Sequence, residues 1–206
     1  MRVFCLHGQS HLLIAVLALL PLCGGCGRDG GAPLDSPAFT RDQLRTYEES
    51  ANHGDREAEY LLAVAFQQGL GVRADLPTAI HWFRRAADHG HGRAEVVLGA
   101  LNESGEGIPK NLAQAYYWYE RAARRGIADA QFDLAQLLRE GNGTGRDPVN
   151  ALKWYLLASR GRPRVKAADV ESAELMRQLT SDQIAEAQRL ADGFQPEPTH
   201  VTPPSP

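Results

Sequence analysis

Cysteine is scarce in this chain of 206 residues, which contains three, at positions 5, 23 and 26. Because none follows Cys26, the part of the chain beyond it cannot form an intrachain disulfide. This excludes a domain held together by disulfide bonds. It also excludes a thiol nucleophile from that part of the chain.

Long hydrophobic runs are also missing. The apolar stretch at residues 12–22 has 11 residues, whereas a membrane-spanning helix needs about 20. Arg2 precedes the stretch, and a short apolar core behind a basic residue is typical of a secretory signal peptide. We therefore predict a signal peptide over residues 1–25 and export of the chain.

The chain has no excess of positive charge, since its formal net charge is −3. Nucleic-acid binding depends on basic residues that neutralise phosphates, so we expect no nucleic-acid partner. His89 and His91 have no acidic or cysteine ligand at metal-binding spacing, and no pair of carboxylates stands out. We accordingly expect no metal, no cofactor, no catalytic residue and no enzyme activity.

What the chain does contain is a repeat. Trp82, Trp118 and Trp154 lie 36 residues apart, and no insertion or deletion interrupts the register. The same interval relates small, capping and apolar residues, namely Ala58/Ala94/Ala130, Leu62/Leu98/Leu134, Ala63/Gly99/Ala135, Gly69/Gly105/Gly141, Gly71/Gly107/Gly143, Asp75/Asn111/Asp147 and Ala86/Ala122/Ala158. A repeat of this length indicates a solenoid, because one unit cannot bury its apolar face without neighbours.

Each unit is predicted to contain two helices. In the first unit, apolar residues at helical spacing form one stripe, consisting of Ala58, Leu61, Leu62, Ala65 and Phe66. A glycine such as Gly69 then ends the helix, because it tolerates the left-handed backbone of a C-terminal cap. Asp75 and its counterparts are good N-caps for the second helix.

These residues resemble a known repeat family. The pattern A-x-x-x-L-[AG], followed by G-x-G and by [DN]-x-x-x-A-x-x-W-[FY]-x-x-A-[AS], is similar to the Sel-one-like repeat, a relative of the tetratricopeptide repeat. The resemblance implies an all-α, right-handed α-solenoid of antiparallel helix pairs, with units at 56–91, 92–127 and 128–163. Two positions depart from the pattern: Asn102 replaces the aromatic that Phe66 supplies, and the third closing glycine is displaced to Gly161.

The array is predicted to extend at both ends, over residues 41–192. Residues 41–55 match the second half of a unit and should form an N-terminal capping helix. Residues 164–192 should form C-terminal capping helices, the last of them starting with a capping box at Thr180 and Gln183. About nine helices result. Residues 193–206 are rich in proline and glycine, and we expect a disordered tail there.

The residues after the predicted signal peptide suggest a lipid anchor. Gly24, Gly25 and Cys26 resemble a bacterial lipobox, which implies that Cys26 is lipidated and that residues 26–40 form a flexible tether. Gly27, instead of an aspartate, follows the cysteine, and this implies the outer membrane, facing the periplasm. Cys23 stands where an aliphatic residue is usual, so cleavage by the general signal peptidase is the alternative.

The resemblance also suggests a binding surface. In tetratricopeptide relatives the first helix of each unit lines the concave face, and the outward positions here are Glu57, Tyr60, Val64, Gln67, Arg93, Val96, Ala100, Glu103, Asp129, Phe132, Gln136 and Arg139. Tyr60, Val96 and Phe132 would form an apolar stripe that suits an extended peptide or a partner helix. The alternative is that this column packs between units.

These patterns together favour a non-enzymatic scaffold or adaptor of the bacterial cell envelope, which binds a protein or peptide on the concave face and reaches the membrane through the lipid anchor. One alternative is a peptidoglycan-linked envelope enzyme or a direct regulator of one, which would need acidic and basic groups clustered on that face. Another is a purely structural spacer.

Overall fold

The computed structural model describes residues 39–197. The predicted signal peptide, Cys26 and most of the predicted tether lie outside the described residues, as do residues 198–206.

Nine α-helices and no strand occur within residues 39–197. They are α1 (Arg41–Asn52), α2 (Arg56–Gln68), α3 (Leu76–Asp88), α4 (Gly92–Ser104), α5 (Leu112–Arg124), α6 (Ala128–Glu140), α7 (Pro148–Arg160), α8 (Lys166–Met176) and α9 (Ser181–Asp192). The predicted all-α fold is confirmed, and the pairs α2/α3, α4/α5 and α6/α7 coincide with the three repeat units. Each helix from α1 to α7 packs on the next, and α9 also packs on α7.

The alanines and glycine that recur every 36 residues lie in the closely packed regions between helices. Ala86, Ala122 and Ala158 of the second helices are fully buried, as are Ala63 and Ala135 of the first helices. At the corresponding Gly99, an added methyl group would meet the ring of Tyr119. A core at native packing density has no room for larger side chains at these positions.

The turn inside each unit depends on two glycines. Gly69, Gly105 and Gly141 end the first helices in the left-handed conformation. Two residues later, Gly143 has a φ of 76°, and a side chain there would run into the backbone of Leu112 in the preceding unit. The second helix then begins at the predicted caps, since Asp75, Asn111 and Asp147 each accept a backbone N–H from its first turn.

Both terminal helices begin with a capping box. Thr180 and Gln183 form the one that the sequence predicts, at the start of α9. Thr40 and Gln43 form another at the start of α1. None of the helices between residues 39 and 197 has the length and hydrophobicity needed to cross a bilayer.

The first residues of the predicted disordered tail are packed. Phe194 sets its ring edge-on against Trp154, with 5.5 Å between ring centroids, and the N–H of Glu197 donates to the carbonyl of Arg124 at 2.8 Å. The expectation of disorder is therefore corrected for residues 193–197, because Phe194 supplies an apolar anchor between α5 and α7.

Candidate binding surface

The predicted apolar stripe lies between helices. Phe132 is 9% exposed and packs against Tyr155, with ring centroids 5.6 Å apart. Tyr60 is half-buried and stacks on the ring of His91 at 4.3 Å. Val96 is half-buried as well. Phe132 and Tyr60 therefore contribute to packing within their own units, between the first helix and the residues of the second helix or of the turn that follows it.

The polar positions of the predicted surface are more accessible. Glu57, Arg93 and Asp129, near the starts of α2, α4 and α6, are exposed, and so is Ala100. The other positions are half-buried, and they are Val64, Gln67, Glu103, Gln136 and Arg139. The first helices therefore present charged and amide groups, at 36-residue intervals, to any partner.

A buried carboxylate joins the two helices of the first unit, which the sequence analysis did not anticipate. Glu59 of α2 is fully buried and lies 3.0 Å from Nη2 of Arg85 and 2.7 Å from Nδ1 of His89, at the end of α3. The second unit repeats the arrangement with Glu95, Arg121 and Arg125, at 3.0 and 3.1 Å. Removing one partner of such a buried pair would leave a charge without compensation.

Arg85 and Arg121 also connect the second helix of their units to the helix that precedes each unit. Arg85 donates to the carbonyl of Ala51 at 3.0 Å, and Arg121 donates to that of Ala87 at 2.9 Å. Their guanidinium groups lie over the rings of Trp82 and Trp118, at 4.7 and 5.1 Å from the centroids. One side chain thus pairs a buried carboxylate, caps a helix end and covers a tryptophan.

The third unit replaces this network with neutral groups. Gln131 stands in the place of the buried glutamates and is 3% exposed, while Leu157 and Gly161 stand in the places of the basic residues. The amide of Gln131 donates to the carbonyl of Ala123 at 3.2 Å, which is the helix-end contact that the arginine makes elsewhere. The sequence contains a signal for this network, because Glu59 and Glu95, and likewise Arg85 and Arg121, lie 36 residues apart.

His91 is the N-cap of α4. Its Nδ1 accepts the N–H of Ala94 at 3.2 Å, and its Nε2 donates to Oε2 of Glu57 at 3.0 Å. Burial lowers the pKa of His91, and the hydrogen bond to Glu57 opposes that shift only in part. The ring therefore caps the helix in its neutral form.

Acidic side chains of the second and third units influence one another. Asp133 of α6 is 8% exposed, and burial, together with the charges of Glu103 and Asp129, raises its pKa to about 8. The hydroxyl of Tyr119 donates to Oε2 of Glu103 at 2.9 Å. Burial raises the pKa of Tyr119 as well.

A cavity of about 630 Å³ lies beside the C-terminal segment. Its lining includes Trp154, Phe194, Lys153, Glu120 and Arg124. The Nζ of Lys153 lies 4.1 Å from the ring centroid of Trp154, and burial lowers the pKa of this lysine. The lining contains both acidic and basic groups, so the cavity does not present charge of one sign.

The stacked helix pairs define an α-solenoid, a class of protein that presents an extended surface of side chains. The particular family follows from comparison, because a family model for the Sel1 repeat matches residues 56–91, 92–127 and 128–162. The chain belongs to the Sel1 repeat family, whose members are generally protein–protein interaction scaffolds.

Solved structures agree with this assignment. A Sel1 repeat protein from Oxalobacter formigenes is 32% identical, with a TM-score of 0.61 over 65% of this chain and 98% of that one. A protective antigen present in uropathogenic Escherichia coli strains, which displays an SLR fold, is 39% identical, with a TM-score of 0.55 over 57% of this chain. This chain spans 25% of that antigen's length. A comparison with curated proteins gives no match.

Proposed function

We propose that this protein is an exported, non-enzymatic scaffold of the bacterial cell envelope, tethered to the outer membrane through Cys26, which holds a protein partner on the exposed side of α2, α4 and α6. Family membership supports the binding of a protein partner. The residue pattern before and at Cys26 supports the tether.

The observation that carries the proposal is the ladder of exposed polar side chains on the first helices. Glu57, Arg93 and Asp129 recur at one register position and remain exposed, whereas the aromatic residues of the same helices are used in packing. Charged and polar groups held at fixed intervals provide specificity for a complementary partner surface. The buried ion pairs of Glu59 with Arg85 and of Glu95 with Arg121 connect the first helix of a unit to the second.

Affinity purification of the full-length protein from crosslinked membranes tests the proposal. The informative variant is Arg93→Ala with Asp129→Ala, because both side chains are exposed and neither change disturbs a buried contact. Arg84→Ala with Gln114→Ala, on exposed positions of the second helices, is the matched control. We expect one envelope protein to be enriched with wild type and control and lost with the first variant. Enrichment that is equal for all three would contradict the assigned surface.

The anchor requires its own measurement. The intact mass of the N-terminal fragment should show acyl chains on Cys26, and Cys26→Ser should release the protein from membranes. An unmodified N-terminus in a membrane-free fraction would overturn the tether and leave the scaffold function standing.

The non-enzymatic part of the proposal can be tested on peptidoglycan. Glu103 and Asp133 are the acidic groups that a peptidoglycan-linked enzyme would use, since the charge of Glu103 helps to raise the pKa of Asp133. We expect purified protein to leave muropeptides unchanged. A change that disappears with Glu103→Gln would show that the enzyme alternative is correct.

A further inference from the structure

The cation that covers the tryptophan of the third unit has no carboxylate paired with it. In each of the first two units, an arginine lies over the tryptophan and also pairs with a buried glutamate. In the third unit, the Nζ of Lys153 lies 4.1 Å from the ring centroid of Trp154 and 5.8 Å from that of Phe194. Within residues 39–197, no carboxylate forms an ion pair with this ammonium group.

The ammonium group of Lys153 is partly removed from water. The residue is half-buried, and burial lowers its pKa. The charge of Arg124 acts in the same direction, and that of Glu120 opposes it. The aromatic rings attract the cation, but a ring supplies no charge-assisted hydrogen bond. An approaching anion would therefore gain free energy from this lysine, because it would compensate a poorly hydrated charge.

Lys153 lines the cavity beside the C-terminal segment. The lining comes from α5, the turn before α7, α7 itself and residues 194–197. The volume of about 630 Å³ is that of a ligand-binding pocket. The rings of Tyr116, Trp154 and Phe194 form the apolar part of the lining. The cavity thus has space and an apolar wall next to the lysine.

The three carboxylates that line the cavity are each held by donors of the protein. Arg124 lies 2.8 Å from Oε1 of Glu120 and 4.0 Å from Oε1 of Glu197. Asp147 caps α7, and it accepts the backbone N–H of Asn150 at 3.0 Å and its side-chain amide at 2.6 Å. These acids therefore leave the ammonium group of Lys153 without a partner.

A second cation of the lining is in a similar position. Arg146 is exposed and donates from Nε to the carbonyl of Arg139 at 3.1 Å, and its guanidinium forms no ion pair within residues 39–197. Residues 198–206 contain no aspartate or glutamate, so no acidic side chain of that segment can pair with either cation. The two cations need a carboxylate that the chain does not supply at this place.

We propose that this cavity is a second binding site of the array, in which Lys153 and Arg146 hold the carboxylate of an aspartate or glutamate from a protein ligand. An apolar side chain next to that acid packs against the rings of Trp154 and Phe194. A phosphate group is a poorer fit, because its second negative charge would be repelled by the carboxylates of the lining. The site lies on the second helices α5 and α7, apart from the surface proposed on the first helices.

The probe is the acetylated and amidated dipeptide of leucine and glutamate, and the corresponding dipeptide of leucine and glutamine is its neutral isostere. Each is titrated into the full-length protein with isotopically labelled lysines, and the side-chain signals are followed by NMR. The chain has three lysines, and the exposed Lys110 and Lys166 serve as internal controls. We expect a saturable shift of the Lys153 signal with the glutamate probe alone. The pKa of Lys153 should rise on binding, because a carboxylate favours the charged amine.

Two variants, followed through the indole signal of Trp154, test the residues of the site. Lys153→Met should bind the glutamate probe about tenfold more weakly, since a hydrogen bond between charged groups is lost. Arg146→Gln, at an exposed position that cannot unfold the protein, should weaken binding by about two- to fivefold. Lys110→Met removes the same charge from an exposed lysine and should bind as wild type does. A thermal melt checks that Lys153→Met is folded.

Each contrary result is decisive. Equal shifts with the glutamine probe would show that charge is not recognised, and unchanged affinity in Lys153→Met would show that this lysine does not hold the acid. Equal shifts with inorganic phosphate would overturn the assignment to an acidic side chain. Binding that requires deletion of residues 198–206 would show that the chain's own tail fills the cavity, which also overturns the proposal. Because neither Arg93 nor Asp129 lines the cavity, failure here leaves the scaffold function to its own test.

Discussion

Single buried side chains explain much of how this array holds together. Glu59 and Glu95 are fully buried carboxylates, each paired with two basic residues in or just after the second helix of its own unit. The third unit has Gln131, Leu157 and Gly161 at these positions, so it lacks both the carboxylate and the basic residues that pair with it. The acid and its partners therefore form one interdependent group.

We expect Gln131→Glu to destabilise the protein by about 3–5 kcal/mol, because it would bury a charge that has no cation beside it. Adding Leu157→Arg should recover part of that loss, as a double-mutant cycle in urea would measure. Gln131→Met, which removes only the hydrogen bond to Ala123, is the control and should cost about 1 kcal/mol. A loss in Gln131→Glu no larger than in the control would contradict the interdependence.

His91 makes stability depend on pH. Its pKa is lowered in the folded protein, so the unfolded chain binds the proton first as the pH falls. The stability due to the neutral ring is complete above about pH 6.5, the ordinary pKa of histidine, and is lost as the pH falls through the lower folded value. Chemical unfolding at several pH values between 5 and 8 should show this loss.

The comparison variant is His91→Asn, because asparagine caps a helix without titrating. It should reduce the difference in stability between pH 7 and pH 5. His81→Gln, at an exposed position that caps no helix, should leave the difference unchanged. Parallel pH profiles for wild type and His91→Asn would rule out this role for His91.

At the level of helices and turns, the glycines set the distance between units. The turn at Gly143 lies against the backbone of Leu112 and Ala113, at the start of the preceding unit's second helix. Gly71 has the same kind of contact with the backbone of Phe39. Turn geometry and stacking of units are thus determined at the same residues.

We expect Gly143→Ala to destabilise the protein by more than about 2 kcal/mol, since alanine is strained at positive φ and its methyl group would also strike the Leu112 carbonyl. Gly145→Ala is the matched control, because nothing lies within 4 Å of that position. Urea unfolding should show the control to be nearly neutral or slightly stabilising. Equal effects of the two changes would mean that units are not in contact at this turn.

On the scale of the whole molecule, stability is distributed along the array, because the helices of residues 39–197 pack mainly on their neighbours along the array. α1 covers one end, whereas α8, α9 and residues 193–197 cover α7 at the other. The packed segment after α9 is therefore expected to act as part of the cap.

Two truncations test that role. Deleting residues 198–206 should leave the melting temperature unchanged, in line with the predicted disorder of that segment. Deleting residues 194–206 removes the Phe194–Trp154 ring contact and the Glu197–Arg124 hydrogen bond, and should lower the melting temperature by about 2–4 °C for each kcal/mol lost. Identical melting temperatures for both truncations would show that the segment does not contribute.

The repeat and its helices could be predicted from the chain because their causes are local. A helix stripe such as Leu62 and Phe66, a left-handed glycine such as Gly69 and an N-cap such as Asp75 each depend on residues a few positions apart. Each of these local patterns occurs three times, at intervals of 36 residues, which strengthens the prediction. This prediction did not require knowledge of which helices pack against each other.

The candidate site could be predicted only in part. Its polar positions at Glu57, Arg93 and Asp129 are exposed, but Phe132 occupies an outward position by register and is buried by Tyr155 of the next helix. The periodicity reports which face of a helix a residue lies on. It does not report how far a neighbouring helix covers that face.

Spacing along the chain was therefore enough to define an all-α solenoid with its units, caps and turns, because a backbone conformation depends on nearby residues. Burial, charge state and partners depend on contacts between helices that lie 30 or more residues apart, as in the pairing of Glu59 with His89. The raised pKa of Asp133 and the docking of Phe194 both involve such contacts. They became visible only when the helices were packed together, since the cost of burying a polar group is set by the groups that surround it.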